Sequence, residues 1–376
     1  MPTPTPRLSD IVDQSTSRRA FLTRASVLVA SLPMAEAAVT GCTNPTPVAR
    51  APGGPQDQTA TATTPSENPD SRLDSSLKSA QPSASSATPG AVNAPPTVPF
   101  HWYDPALPPL TSERTKQIHM TVREVPIRVT ADTIVAGWTF DGSIPGPILH
   151  VRRGDTVEFT LTNQGSIPHS MDFHASQLDP KTAFQSVPPG HSVSYTFRPR
   201  YAGVFLYHCG TAPVLMHIGS GMFGAMVVDP PTPLPPAREF VLVQNEYYLA
   251  AAANGVSQFD YIKMLATVPD YVAFNGGPSQ YQSKPLRVRR GERVRFYVVA
   301  AGPNHPCSFH IVGKQFDTVY LGAPPGNSIQ GVQTFSVAAG GGMIFEFIAD
   351  IPGEFPFVNH AFGHGQKGAI GILVVE

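Results

Sequence analysis

The chain repeats one plan twice. Phe140-Asp141-Gly142 precedes Leu149-His150-Val151-Arg152-Arg153-Gly154-Asp155-Thr156-Val157, and Phe274-Asn275-Gly276 precedes Leu286-Arg287-Val288-Arg289-Arg290-Gly291-Glu292-Arg293-Val294. Further on, Tyr201-Ala202-Gly203-Val204-Phe205-Leu206-Tyr207-His208 is answered by residues 351–360, ending in Asn359-His360. Self-similarity at this scale means two copies of one folded unit. Within the first copy, residues 118–122, 125–129, 135–140, 157–161, 193–197, 204–207 and 224–228 alternate or run apolar over strand lengths. Asp141-Gly142, Arg153-Gly154-Asp155 and Pro189-Gly190 supply the turns between them. No amphipathic helix of ordinary length interrupts the pattern. The expectation is an all-β chain of two tandem Greek-key β-sandwich domains, residues 101–232 and 233–376, joined at the hinge Pro230-Pro231-Thr232-Pro233-Leu234-Pro235-Pro236.

The segment before them reads differently. Residues 43–100 are dominated by Pro, Ser, Thr, Ala, Gly and Asn, and cannot bury enough apolar surface to offset their ordering entropy. They are expected to form a disordered tether. In residues 1–42, Ser17-Arg18-Arg19-Ala20-Phe21-Leu22 ahead of a mildly apolar stretch reads as a twin-arginine export signal. Val39-Thr40-Gly41-Cys42 matches a bacterial lipobox, with Cys42 the acylated residue. Together these point to an exported, periplasmic or extracytoplasmic protein, anchored to the membrane through lipid alone. A net charge of −1 argues against a nucleic-acid partner, which would need a basic field.

Chemistry concentrates at Tyr207-His208-Cys209, followed by His217 and Met222. A thiolate, an imidazole and a thioether spaced Cys-x7-His-x4-Met are the soft and borderline ligands of a blue copper ion. Successive side chains on a strand face opposite ways, so His208 faces away from any metal that Cys209 holds. It is therefore free to hold a second one. His169 and His174 lie an odd interval apart and also face opposite sides, so one can join Cys209 and the other His208. Asp172 lies an even interval before His174 and leans toward the same metal. The internal repeat sets His360 where His208 stands, with His364 a nearby competitor.

From about residue 118 to its C-terminus the chain resembles the two-domain copper nitrite reductases, built from two cupredoxin domains. The resemblance rests on Ile167-Pro168-His169-Ser170-Met171-Asp172-Phe173-His174, Tyr207-His208-Cys209, Met216-His217, Ser220-Gly221-Met222, Ser308-Phe309-His310-Ile311-Val312-Gly313 and Val358-Asn359-His360. It implies a type 1 copper held by His169, Cys209, His217 and Met222. It also implies a type 2 copper held by His174, His208 and His360, the last from a neighbouring subunit of a homotrimer. Asp172 and His310 would handle protons, and Val312 would shape the substrate pocket. The implied reaction is one-electron reduction of nitrite to nitric oxide and water, as used in denitrification, fed by a small cupredoxin or a cytochrome c.

Two departures stand out. Ser170 occupies a position that is asparagine in many members, and the loop from Cys209 to His217 is one residue shorter and lacks their tryptophan. Cys307, three residues before His310, reads as a small buried hydrophobe. His101, His119, His150, His191 and His305 match no ligand position. A laccase-like oxidase needs about eight histidines, mostly in His-x-His pairs, as the resembling oxidases show, and none of the 12 histidines here forms one. A non-catalytic electron carrier would leave His174, His208, His360 and Asp172 without work.

Overall fold

The computed structural model describes residues 97–322 and 326–376, which lie within one compact unit. The export signal, Cys42 and the tether up to residue 96 lie outside the described residues. The tether was expected to run to residue 100, yet Phe100 already bridges to Arg128, whose Nε donates to the Val98 carbonyl.

The first half contributes β1 (Thr115–Arg128), β2 (Ile134–Phe140), β3 (Leu149–Arg152), β4 (Thr156–Asn163), β5 (Asp172–Phe173), β6 (Ser192–Phe197), β7 (Gly203–His208) and β8 (Phe223–Asp229). The second contributes β9 (Arg238–Tyr247), β10 (Leu249–Ala253), β11 (Val256–Phe259), β12 (Tyr271–Phe274), β13 (Lys284–Val288), β14 (Arg293–Gly302), β15 (Cys307–Ile311), β16 (Phe316–Tyr320), β17 (Ser328–Val332), β18 (Thr334–Val337), β19 (Gly342–Ile348), β20 (Gly353–Asn359) and β21 (Ile370–Val375). Helices among the described residues run four to six residues, too short to form the core of either half.

Each half is a two-sheet sandwich. The first pairs β10-β11-β2-β1-β4-β6 with β3-β8-β7-β5, and the second pairs β12-β9-β14-β19-β16-β17 with β13-β21-β20-β15-β18. Two details differ from the sequence reading. Residues 118–122 and 125–129, read as two strands, fall in the single strand β1, because Arg123 and Glu124 are exposed strand residues and supply no turn. The hairpin β10-β11 crosses from the second half to the sheet of the first, where Ser257 pairs with Val135.

Three apolar clusters hold the molecule together. One fills each sandwich, around Phe159, Phe173 and Tyr207 in the first and Phe296, Phe309 and Phe357 in the second. The third lies between them and joins Val204, Leu206, Ala225 and Val227 of the first half to Val241, Val243, Tyr297 and Val299 of the second. β8 and β9 are accordingly buried on both faces, as near-continuous apolar strands must be. Alternation along β7 now has a direction. Val204 and Leu206 point to the cluster between the domains, whereas Tyr207 and Cys209 enter the core of the first sandwich.

Candidate metal centres

The first centre forms where β7 ends. Cys209, His169 and His217 bring one donor atom each within 4.8 Å of one another, and all three are buried, Cys209 at 0% exposure and His217 at 2%. His169 Nδ1 lies 3.1 Å from His217 Nδ1, which lies 3.2 Å from Cys209 Sγ. The geometry of the ring behind Cys209 follows from the backbone. Residues Val214–Gly219, read as a loop, form a short helix that turns His217 back over the thiol. The Cys209 amide donates to the Met222 carbonyl at 3.1 Å, and the Met222 amide to the His217 carbonyl at 3.2 Å. Met222, fully buried in the same core as Cys209, is thereby stitched to both ligand backbones.

Ser170 answers the first departure. Its amide donates to Cys209 Sγ at 3.3 Å, and its hydroxyl accepts from the Gly210 amide at 2.9 Å. The sulfur thus receives a backbone N–H, with the Ser170 hydroxyl 3.8 Å away. Trp138 of β2, which sequence spacing could not single out, answers the second. Its ring meets His169 and His217 edge-on, with centroids 5.6 and 5.0 Å away. An aromatic ring beside both imidazoles is thus supplied by β2.

Glu124 of β1 completes this surround. Its carboxylate stands 3.6 Å from His169 Nε2, an electrostatic contact rather than a hydrogen bond. Burial pulls the Glu124 carboxyl up, but the Ser166 hydroxyl and amide and His169 outweigh it, and its pKa falls below the ordinary value. The contact favours a proton on Nε2 and leaves Nδ1 bare toward the thiol, the usual outer-shell arrangement of a ligating histidine.

Burial depresses His169, and burial with the neighbouring His169 lowers His217 to about 4. The unfolded imidazole titrates near 6.5, so between those values the unfolded chain binds more protons and acid destabilises the fold. The thermal midpoint of the copper-free protein is expected to fall as pH drops from about 6.5 toward 4. A midpoint constant across that window would contradict buried neutral ligands.

The second centre lies on the opposite face of the same strand. Asp172 and His208 are cross-strand partners, and His174 follows in the next turn with its amide donating to the Leu206 carbonyl at 3.0 Å. His208 Nδ1 donates to the Cys209 carbonyl at 2.9 Å, which leaves its Nε2 as a bare acceptor. That atom lies 3.0 Å from His174 Nε2, and Asp172 Oδ2 lies 3.9 Å away. Burial and His208 hold the His174 pKa below its ordinary value, against Asp172 and the Gly340 backbone of the second domain. Two converging imidazole nitrogens with a carboxylate beside them suit a cation, and nitrogen ligands suit copper among others.

His360, His310 and Val312 lie elsewhere. His360 follows β20 on the surface of the second sandwich, 5.2 Å between ring centroids from His310, and the cluster at Asp172, His174 and His208 includes neither. His310 Nδ1 donates to the Gln333 carbonyl at 2.6 Å, and Val312 is 43% exposed. His364 points inward instead, its Nδ1 3.1 Å from Asn359 Nδ2 and its ring 4.6 Å from that of His305. Cys307 is fully buried, and burial pushes its thiol well above the ordinary range, in keeping with an inert packing residue.

Both halves match known families. Residues 121–233 and 254–376 each match a multicopper oxidase domain model. A copper-containing nitrite reductase of Neisseria meningitidis serogroup A is 42% identical over 248 residues, covering 64% of this chain and 64% of the relative. The chain thus spans under two thirds of that relative's length. The solved copper nitrite reductase of Nitrosomonas europaea is 38% identical with a TM-score of 0.64, over 70% of this chain and 94% of that one. A copper-containing nitrite reductase of Thermus scotoductus is 29% identical with the same TM-score, over 69% of this chain and 62% of that one. With two cupredoxin-type sandwiches, a buried His-Cys-His cluster and a second His pair behind it, the chain belongs to the family of copper nitrite reductases.

Proposed function

We propose that this chain reduces nitrite to nitric oxide, NO2− + e− + 2H+ → NO + H2O, with one type 1 and one type 2 copper per subunit. The observation that carries the reading is the adjacency of Cys209 and His208, each in a different donor cluster and joined by one peptide bond. Copper bound at these clusters would supply reversible one-electron redox chemistry and, at the second, an open coordination position for nitrite. The protein's part is to connect, position and protonate. The peptide linking Cys209 to His208 is one connection, and the hydrogen bond from His208 Nδ1 to the Cys209 carbonyl is a second.

The second cluster has two histidines and needs a third. The exposed His360, its ring edge-on to that of Phe362, itself 56% exposed, supports a source in another copy of the chain. A closed threefold ring lets the first domain of each copy meet the second domain of the next. Asp172 would then donate a proton to the substrate from one side, and His310 Nε2 from the other, its ring fixed by the Gln333 carbonyl. Val312 would form the apolar wall of the pocket. A small cupredoxin or a cytochrome c would deliver the electron. Export and acylation at Cys42 would hold the enzyme at the outer face of a membrane.

Metal analysis and electron paramagnetic resonance of the purified protein test this reading. Equal amounts of two mononuclear copper signals are expected. A single blue signal, or a coupled cluster accompanied by oxygen uptake, would reject it. Asp172→Asn is expected to keep both coppers while slowing turnover roughly a hundredfold, because it removes only a proton donor. An unchanged turnover number across the pH profile would remove Asp172 from proton delivery.

A further inference from the structure

His360 owes its place to groups the reaction does not use. Its amide donates to the Ser308 carbonyl at 2.7 Å, which ties it to β15. The residue before it, Asn359, is fully buried and satisfied on every side. Asn359 Oδ1 accepts from the Ala361 amide at 3.0 Å and the Ser308 amide at 3.2 Å, so it grips the backbone just after His360 and the strand beside it. Its Nδ2 faces Gln244 Oε1 at 2.7 Å, His364 Nδ1 at 3.1 Å and the Pro306 carbonyl at 3.2 Å. Those acceptors fix which way the amide points, and hence which atom is left to hold the turn.

Behind them stands a buried carboxylate. Glu246, 1% exposed, accepts from the Asn304 amide at 3.1 Å, the His305 amide at 2.7 Å and the Tyr248 hydroxyl. The His305 ring, with Nδ1 3.3 Å from Glu246 Oε1, packs edge-on against His364. Glu246 therefore reaches Asn359 by two routes, through the loop that presents the Pro306 carbonyl and through the two edge-on imidazoles. The Glu246 carboxylate and the Asn359 amide are paired at both ends, and a buried network so paired fixes its geometry, with His305 Nδ1 joined to it only by the charge contact with Glu246.

We infer that Asn359, oriented by Gln244 and by the Glu246–His305–His364 bracket, is the positioning residue that presents His360 at the second-domain surface. His364 is thus a support, not a ligand. The inference rests on the reading of His360 as the third type 2 ligand. His364 serves through an unprotonated Nδ1 that accepts from Asn359. Burial, His305 and Lys367 all hold its pKa below the ordinary value, which keeps that acceptor available.

The test uses the full-length protein with His364→Leu and His364→Asn. Asn Oδ1 stands close to where His Nδ1 stood, so it can still accept from Asn359. Outer-shell partners of this kind carry about tenfold or more in metal affinity. In His364→Leu, type 2 copper affinity measured by chelator competition is expected to fall about tenfold. Type 1 absorbance should be unchanged, and amide exchange at His360 and Ala361 in the copper-free protein should quicken. His364→Asn should restore both. If His364→Leu does not fold, Gln244→Met removes the opposite partner of Asn359 and must give the same pattern. Wild-type affinity and exchange in the folded variant would overturn the inference. So would loss of type 2 copper in both His364 variants with exchange unaltered, which would make His364 a ligand. Wild-type protein that binds no type 2 copper would instead reject the nitrite reductase reading, while the exchange data still decide whether the bracket holds the turn.

Discussion

His360→Ala is expected to abolish type 2 copper binding and nitrite turnover while leaving the blue absorption of the type 1 site intact. The separation follows from the geometry. His360 lies on the surface of the second sandwich beside His310, and the cluster of Cys209, His169 and His217 is buried in the first. No shared side chain couples them, so their effects should be independent. A stronger form of the experiment mixes two inactive chains. His174→Ala lacks a ligand in its first domain and keeps its own His360; His360→Ala is the reverse. In the proposed ring, a site that joins the first domain of a His360→Ala chain to the second domain of a His174→Ala chain is complete. Random mixing in equal amounts should restore about a quarter of wild-type activity, the chance that both contributions are intact. No recovery would place all three ligands within one chain or reject His360 altogether.

Cys209→Ala is expected to have the opposite signature. The blue colour and the type 1 resonance should vanish, and turnover supported by a protein donor should fall to background. Type 2 copper should stay, because His174, His208 and Asp172 keep their places on the other face of β7 and β5. The fold should survive. Removing one buried sulfur leaves a small cavity costing about 1–2 kcal/mol, which a core of Met171, Tyr207 and Met226 around it can absorb. Loss of both coppers would mean that the thiol organises the whole end of the sandwich rather than one site.

These two variants probe the part of the molecule that was legible in the sequence. The period of a strand alone assigned Cys209 and His208 to different faces, and the structure places Cys209 in the core of the first sandwich with His208 in the separate cluster of Asp172 and His174. The same period paired Asp172 with His174. The repeat of residues 201–208 in residues 351–360 similarly located the end of β20.

Other features depend on contacts that no local spacing carries. Trp138 reaches the first cluster across a sheet from β2, and Glu124 reaches it from β1. The hairpin β10-β11 joins the sheet of the other half by a single parallel pair. His305, which matches no ligand position, and His364, a rival for His360, gain meaning only once the fold sets them between Glu246 and Asn359. Strand periodicity reports which face a residue takes. It does not report what packs on that face from a hundred residues away.

Anaerobic turnover with nitrite and a chemical reductant, followed by a nitric oxide electrode, tests the central claim most directly. Copper-loaded protein is expected to release one nitric oxide for each nitrite consumed, with the rate rising as pH falls toward the acid side because the step consumes protons. Nitrite left unconsumed by protein that carries both coppers would contradict the account.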